Sequence, residues 1–345
     1  MALFLLRRIG ILIATALCLS LIVFALTNLP PSLEKLAKFE GNNRMSDADV
    51  VSWLDRRGYG RPTLVRYGEW LGVVPGYVTD AGQSVRCAKS VPDGTPHPRY
   101  CGVLQGYWGQ STVFKDDVSA IIAKRLALTG KLMACVMLVM VPLALITGVL
   151  AGMREGSRTD RALSTFSILT TATPEYVSGI LFVAVFASSA VGLKWFKGTA
   201  NSAADAITFE NFTLPVMTIA LFGAGYVARM TRASMTEVMT AQYIRTARLK
   251  GVRFRDVVLK HALRNALIAP FTVIMLQFPW LLNGVVIVEN IFSFKGFGWA
   301  LVQAAGNNDI DLLLACSVVA VVVVLVTQLI SDVGYGLLNP RIRLK

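Results

Sequence analysis

The chain has 345 residues, of which 54% are hydrophobic and only 16% are charged. Soluble globular proteins carry about 25% charged residues, and a soluble fold of this length has too little interior to hide so much apolar mass. The net charge of +13 is therefore not the basic patch of a nucleic-acid-binding domain, and the composition predicts an all-α protein that crosses a membrane several times.

A spanning helix needs about 20 mostly apolar residues to cross a hydrocarbon core roughly 30 Å thick. Six stretches meet that requirement: Ile9 to Leu29, Leu132 to Met153, Ala162 to Leu193, Asn211 to Ala228, Asn265 to Val288, and Leu312 to Ser331. Alternating strands of a membrane barrel are absent, so the spans are expected to be helices that satisfy their own backbone groups. Arg7 and Arg8 precede the first run in the manner of a signal peptide. That run is longer than the usual 7–15 apolar residues of such a peptide, so a retained anchor is expected. The organisation predicted is a first transmembrane helix over 1–30, a periplasmic region over 31–125, and a five-helix core over 126–345.

The distribution of lysine and arginine sets the orientation. With the N-terminus inside, the cytoplasmic pieces are 1–8, 154–161, 229–264 and 340–345. Together they hold seventeen Lys and Arg against four acids. Residues 28–127 are nearly balanced, with 13 basic and 10 acidic side chains. Both termini are expected in the cytoplasm.

In the outer region, Ser46 with Asp49 resembles a helix N-terminus, and Gly58 and Gly60 end that helix. Pro62 suits the first turn of a second one, where Leu64, Tyr67 and Leu71 recur at helical spacing. Residues 72–102 read as an irregular excursion rich in Gly and Pro. It contains Cys87 and Cys101, whereas Cys18, Cys135 and Cys316 lie in spans. A bridge between Cys87 and Cys101 is expected in an oxidising compartment. The alternative is two free or metal-touching thiols with His97 between them. A zinc site is disfavoured because four ligands are not present.

Residues 229–264 carry the strongest signal. Tyr243 to Lys250 reads as a helix ended by Gly251, which can take the left-handed conformation after a helix C-terminus. A second helix is expected from Val252 to about Leu263. The bland reading is a solvated basic loop. The order of residues resembles instead the cytoplasmic loop of ABC importer permeases, with Arg245-Thr246-Ala247 in the E-A-A place, Gly251 as its glycine, and His261-Ala262-Leu263 as its final triplet. Arginine and histidine at those places look like the variant of the dipeptide/oligopeptide/nickel permease family. Gly106-Tyr-Trp-Gly109-Gln-Ser111 is similar to that family's G-D-L-G-x-S, with Tyr107 and Trp108 as departures. Thr173-Pro174-Glu175-Tyr176, Val288-Glu289-Asn290-Ile-Phe292 with Gly296 and Gly298, and the tail from Leu338 to Arg343 are similar too.

The resemblance implies the inner-membrane subunit of a type I importer in a bacterial cell, with peptides as the leading substrate class. It implies a second permease subunit, expected to be a paralogue, two ATPase subunits, and a periplasmic substrate-binding protein. Tyr243, Arg245, Thr246, Ala247, Arg248, Gly251 and His261 would form the ATPase-coupling loop. The chain itself carries no Gly-x-x-x-x-Gly-Lys phosphate loop. It is thus expected to bind no cofactor or metal and to catalyse no reaction, with ATP and Mg on the partner ATPases.

Inside the spans, Glu175 is the embedded acid, and intramembrane carboxylates are costly. It reads either as a structural partner at a helix break or as a gating residue. In the fifth span, Gln277, Pro279 and Asn283 cluster where proline removes a backbone hydrogen bond. Packing explains them, as does a lining of the pathway. A self-contained secondary transporter or channel is the rival class, but internal repeats and buried titratable relays are missing.

Overall fold

The computed structural model describes residues 2–42, 44–78, 98–188 and 193–338, the side chains of 2–5, 282–283 and 335–338 excepted. Cys87, most of the excursion over 72–102, and the basic tail over 340–345 lie outside the described residues. In chain order the first helices are α1 (Ala2–Thr27), α2 (Pro30–Glu40), α3 (Asp47–Arg56), α4 (Thr63–Leu71), α5 (Val118–Gly152), α6 (Arg158–Ala172) and α7 (Glu175–Phe186). There follow α8 (Phe209–Met239), α9 (Gln242–Leu249), α10 (Phe254–Asp256), α11 (Leu263–Ala266), α12 (Ile268–Ile291), α13 (Phe297–Gly306) and α14 (Ile310–Leu338). A π-helical segment, Val257–Ala262, joins α10 to α11. Among the described residues no β-strand occurs, only an isolated bridge between Gln110 and Asp117.

Four of these helices have a stretch long and apolar enough to cross a membrane: Leu6–Thr27, Val118–Gly152, Phe209–Met239 and Ile310–Gly334. Two further candidates are bent pairs. Helices α6 and α7 meet at 103°, and Phe254–Ala266 meets Ile268–Leu281 at 50°. Counting each pair as one span gives six. The break between α6 and α7 follows from Pro174. Thr173 before it is extended, at φ −85° and ψ 118°, because proline's ring disfavours a helical residue in front of it. Helix α5 begins well before Leu132. Its 35 residues give a length of roughly 50 Å, so it outreaches the hydrocarbon core.

The chain forms two units, residues 1–5, 127–299 and 324–345 in one and residues 6–126 and 300–323 in the other. In the first, α8 packs on α6, α7 and α12. Leu132, Val136 and Met140 of α5, Ile219, Ala220 and Val227 of α8, and Leu281, Val285 and Val288 of α12 share one buried cluster with Phe292 and Phe294. Glycine permits the closest approaches. A methyl at Gly148 would overlap Thr231, and one at Gly225 would overlap Thr170. In lipid, where apolar surface gains nothing by leaving solvent, small residues at contacts are what let helices associate.

Two polar clasps reinforce this unit. Asp160, whose side chain is 4% exposed, accepts from Arg232 Nε at 2.5 Å and Nη2 at 2.8 Å, from the Gly156 N–H at 2.8 Å, and from Ser164 Oγ at 3.0 Å. Fully buried Glu289 accepts from Thr129 Oγ1 at 2.5 Å and from the Trp299 N–H at 2.9 Å. Thr129 Oγ1 in turn accepts from the Phe297 N–H at 2.8 Å.

In the second unit, Phe24 of α1, Tyr67 and Trp70 of α4, and Leu314 of α14 make one buried cluster. Leu33, Leu36 and Ile310 make another, against Trp53, Leu54 and Tyr59. Helix α3 starts as expected. Ser46 Oγ accepts from the Asp49 N–H while the Asp49 carboxylate accepts from the Ser46 N–H. Pro62 is the residue capping α4 rather than its first-turn residue, its ψ of 136° being extended. The Gly106–Ser111 stretch is a bent loop. Gly106 and Gly109 hold φ of +86° and +97°, and Ser111 Oγ donates to buried Asp309 at 2.5 Å. Asp309 also accepts from the Val113 N–H at 3.2 Å and the Leu312 N–H at 3.3 Å, which ties the loop to the start of α14.

Candidate functional site

The elbow after α8 is built from local rules upward. Helix α9 is amphipathic, so Ile244 and Ala247 point inward while Tyr243, Arg245, Thr246 and Arg248 are exposed. Its end is a Schellman motif. The Val252 N–H donates to the Ala247 carbonyl at 3.2 Å, and the Gly251 N–H donates to the Arg248 carbonyl at 3.0 Å. That geometry needs a left-handed residue, and Gly251 supplies it at φ +78°. The expected helix–glycine–helix order is present, with the second arm starting at Phe254 rather than Val252.

The second arm is wound unusually. Val257 to Ala262 is π-helical, a form that costs backbone geometry and tends to mark functional segments. The wider winding lets Val257, Val258 and Ala262 face one cluster with Ile244, Ala247, Ala266 and Met235 of α8. Asn265 Nδ2 donates to Tyr243 Oη at 3.0 Å, closing the two arms. Ser234 Oγ donates to the Ala266 carbonyl at 2.8 Å, holding the elbow to α8. The guanidinium carbons of Arg154 and Arg248 lie 5.0 and 5.9 Å from the centre of the Phe254 ring. The outer face presents Leu249, 81% exposed, with exposed Tyr243, Phe254, Leu259 and His261. This outer face is basic and apolar together.

Of the expected site residues, Tyr243, Arg245, Thr246, Arg248, Gly251 and His261 therefore share the exposed elbow. Ala247 faces inward, and its small side chain admits the second arm. Glu175 opens α7 directly after Pro174. Its Oε2 is buried without a hydrogen-bond partner, and it abuts Gly284 of α12, where an added methyl would overlap the carboxylate. Gln277 is buried, 7% exposed, and lies beside Gly223 of α8. Pro279 is inside α12, and the Asn283 side chain lies outside the described residues. Cys101 is disulfide-bonded, while Cys18, Cys135 and Cys316 are free; Cys87 lies outside the described residues. Among the described residues, no group of three or more His, Cys, Asp and Glu is placed to hold a metal ion. Sequence reasoning assigned no role to Glu289. The signal was available, since a charge in an apolar run followed by Gly296 and Gly298 needs a partner.

These features define a multi-pass helical membrane protein with a compact elbow between α8 and α12. The chain belongs to the family of binding-protein-dependent transport system inner membrane components, which matches residues 144–344. It is thus a membrane subunit of a transporter and not an enzyme. It is 29% identical over 348 residues to the oligopeptide transport system permease protein of Bacillus subtilis, covering 99% of each chain. It is 28% identical over 365 residues to the di/tripeptide transport system permease protein of Pseudomonas aeruginosa, covering 99% of this chain and 98% of that one. Over 243 residues it is 35% identical to the glutathione transport system permease protein of Pectobacterium atrosepticum, covering 70% of this chain and 77% of the relative.

Proposed function

We propose that this chain is one of two membrane subunits of an ATP-driven importer of peptides, sited in the bacterial inner membrane. In this reading it spans the membrane six times with both termini in the cytoplasm, and residues 31–125 face the periplasm. A second permease, a paralogue, completes the pathway. Two ATPase subunits sit beneath and a periplasmic binding protein delivers the substrate. The peptide class is supported by the relatives, which are named as oligopeptide, di/tripeptide and glutathione permeases.

The observation that carries the reading is the elbow. Its two arms are locked to each other and to α8, so a force on its exposed face moves α8 rather than deforming a loop. Closure of the ATPase pair would in this way rock the permease core, and the chain performs no chemistry on the substrate. Glu175, at the bend between α6 and α7, is the proposed gating residue. Helix α12, with Gln277, Pro279 and Asn283, is the proposed pathway helix. Cysteines placed along α12 should react with a water-soluble thiol reagent, and a uniformly unreactive helix would remove it from the pathway.

The primary test is co-expression with the neighbouring permease and ATPase subunits, followed by co-purification. Proline cannot adopt the φ of +78° at Gly251, because its ring holds φ near −65°. Gly251→Pro should therefore lose the ATPases and retain the partner permease. Substrate movement into vesicles by the chain alone, without ATP, would instead favour a self-contained transporter.

A further inference from the structure

Apart from the elbow, the described residues contain a cavity of about 290 Å³ lined by α1, the end of α2, the turn after α3, α4, the Gly106–Ser111 loop and the start of α14. Three arginines line it, and two are already neutralised. Arg61 makes a bidentate ion pair with Glu69, and Arg57 pairs with Glu40 at 3.3 Å. The third, Arg66, is only 8% exposed. Its guanidinium donates to two neutral acceptors, the Tyr59 carbonyl at 3.3 Å and Asn28 Oδ1. No carboxylate stands within ion-pair distance of it among the described residues. It is flanked by the rings of Tyr59 at 4.8 Å and Phe24 at 5.8 Å.

An unmet donor stands in the same wall. Trp70 is 1% exposed, and its indole N–H has no acceptor. A buried donor without an acceptor is unfavourable, and the Glu69 charge that Arg66 feels is already paired with Arg61. A guanidinium held by neutral acceptors and an indole N–H with none, in one cavity, describe the complement of a small anion that accepts hydrogen bonds. The surrounding wall is aromatic. Tyr107, one of the two residues at which the Gly106–Ser111 motif departs from the permease pattern, lines the cavity. Trp108, the other, packs edge-on to Trp70 with ring centres 6.4 Å apart. Burial pushes the Arg66 guanidinium below its ordinary pKa, yet arginine stays protonated in proteins, so its charge is retained for a partner.

We propose that this cavity is a subsite for the C-terminal carboxylate of a short peptide, with Arg66 and the Trp70 N–H holding the carboxylate and the aromatic wall packing the adjoining side chain. This rests on the peptide reading above. The two fail separately, because binding is read on the chain without ATPases, whereas the importer reading is tested by ATPase co-purification.

The test is calorimetric titration of the purified full chain in detergent micelles with alanyl-phenylalanine and with its C-terminal amide. The free dipeptide should bind and the amide should bind about tenfold or more weakly, as expected when a hydrogen bond to a charged group is lost. Arg66→Gln should erase the difference between the two probes, and Trp70→Phe should weaken the free dipeptide several-fold. If Arg66→Gln does not fold, the amide comparison on the unaltered chain and the Trp70→Phe variant still decide. Equal binding of dipeptide and amide would overturn the proposal, as would no binding of either. Displacement of the dipeptide by inorganic phosphate at lower concentration than by acetate would also overturn it.

Discussion

The clasp between Asp160 and Arg232 makes an asymmetric prediction. The Asp160 side chain is 4% exposed and that of Arg232 is 31% exposed, so the two partners differ in what they leave behind. Arg232→Gln strands a carboxylate that water cannot reach, with only the Gly156 N–H and Ser164 Oγ still bonded to it. Removing one partner of a buried pair typically costs 3–5 kcal/mol. Because Arg232 is partly solvated, the lower end applies, about 3 kcal/mol. Asp160→Asn leaves a guanidinium that can turn to water and keeps an oxygen for the Gly156 N–H. The loss is then of charge assistance alone, about 1–2 kcal/mol. The double variant should be more stable than Arg232→Gln alone, since no buried charge remains. Unfolding of the purified chain in mixed micelles, followed by circular dichroism against added denaturing detergent, reads all three. An Arg232→Gln variant as stable as Asp160→Asn would show that the Asp160 carboxylate is not desolvated.

Gly284→Ala should displace the Glu175 carboxylate and impair transport by the assembled importer, and Glu175→Gln should separate charge from bulk. Unchanged uptake in both variants would dismiss the gating role. Thr129→Val keeps volume while removing the hydroxyl that donates to Glu289 and accepts from the Phe297 N–H. It should destabilise the chain by about 2–4 kcal/mol, whereas a surface threonine changed in the same way should cost little. At α3, Ser46 holds the Asp49 carboxyl below its ordinary value through its hydroxyl and N–H. The sign follows: this stabilisation is complete above the unfolded carboxyl pKa of about 4 and is lost as pH falls through the lower folded value. Amide exchange at the first turn of α3 should therefore quicken only in acid, and Asp49→Asn should flatten that dependence.

Much of the scaffold was legible in the chain because it rests on local physics. Apolar runs marked the candidate spans. Ser46 and Asp49 marked the start of α3 because a capping box needs only residues three apart, and Gly251 marked the end of α9 because a left-handed turn favours glycine. The exposed half of the elbow followed from the same helical period. Span boundaries were less legible: α5 starts at Val118, and its first turns carry Lys124 and Arg125, which a hydropathy reading excludes.

What tertiary structure alone decided depends on groups far apart in sequence. Asp160 meets Arg232 across 72 residues, and Thr129 meets Glu289 across 160; no periodicity encodes such pairs. The inward turn of Ala247, the π-winding that lets Val257, Val258 and Ala262 share its cluster, and the burial of Arg66 beside Trp70 were likewise set by packing. Backbone hydrogen bonding and side-chain period are satisfied within a few residues, so sequence determines where helices begin and end. Which polar groups lose water, and which partner each then finds, is settled only when those helices come together.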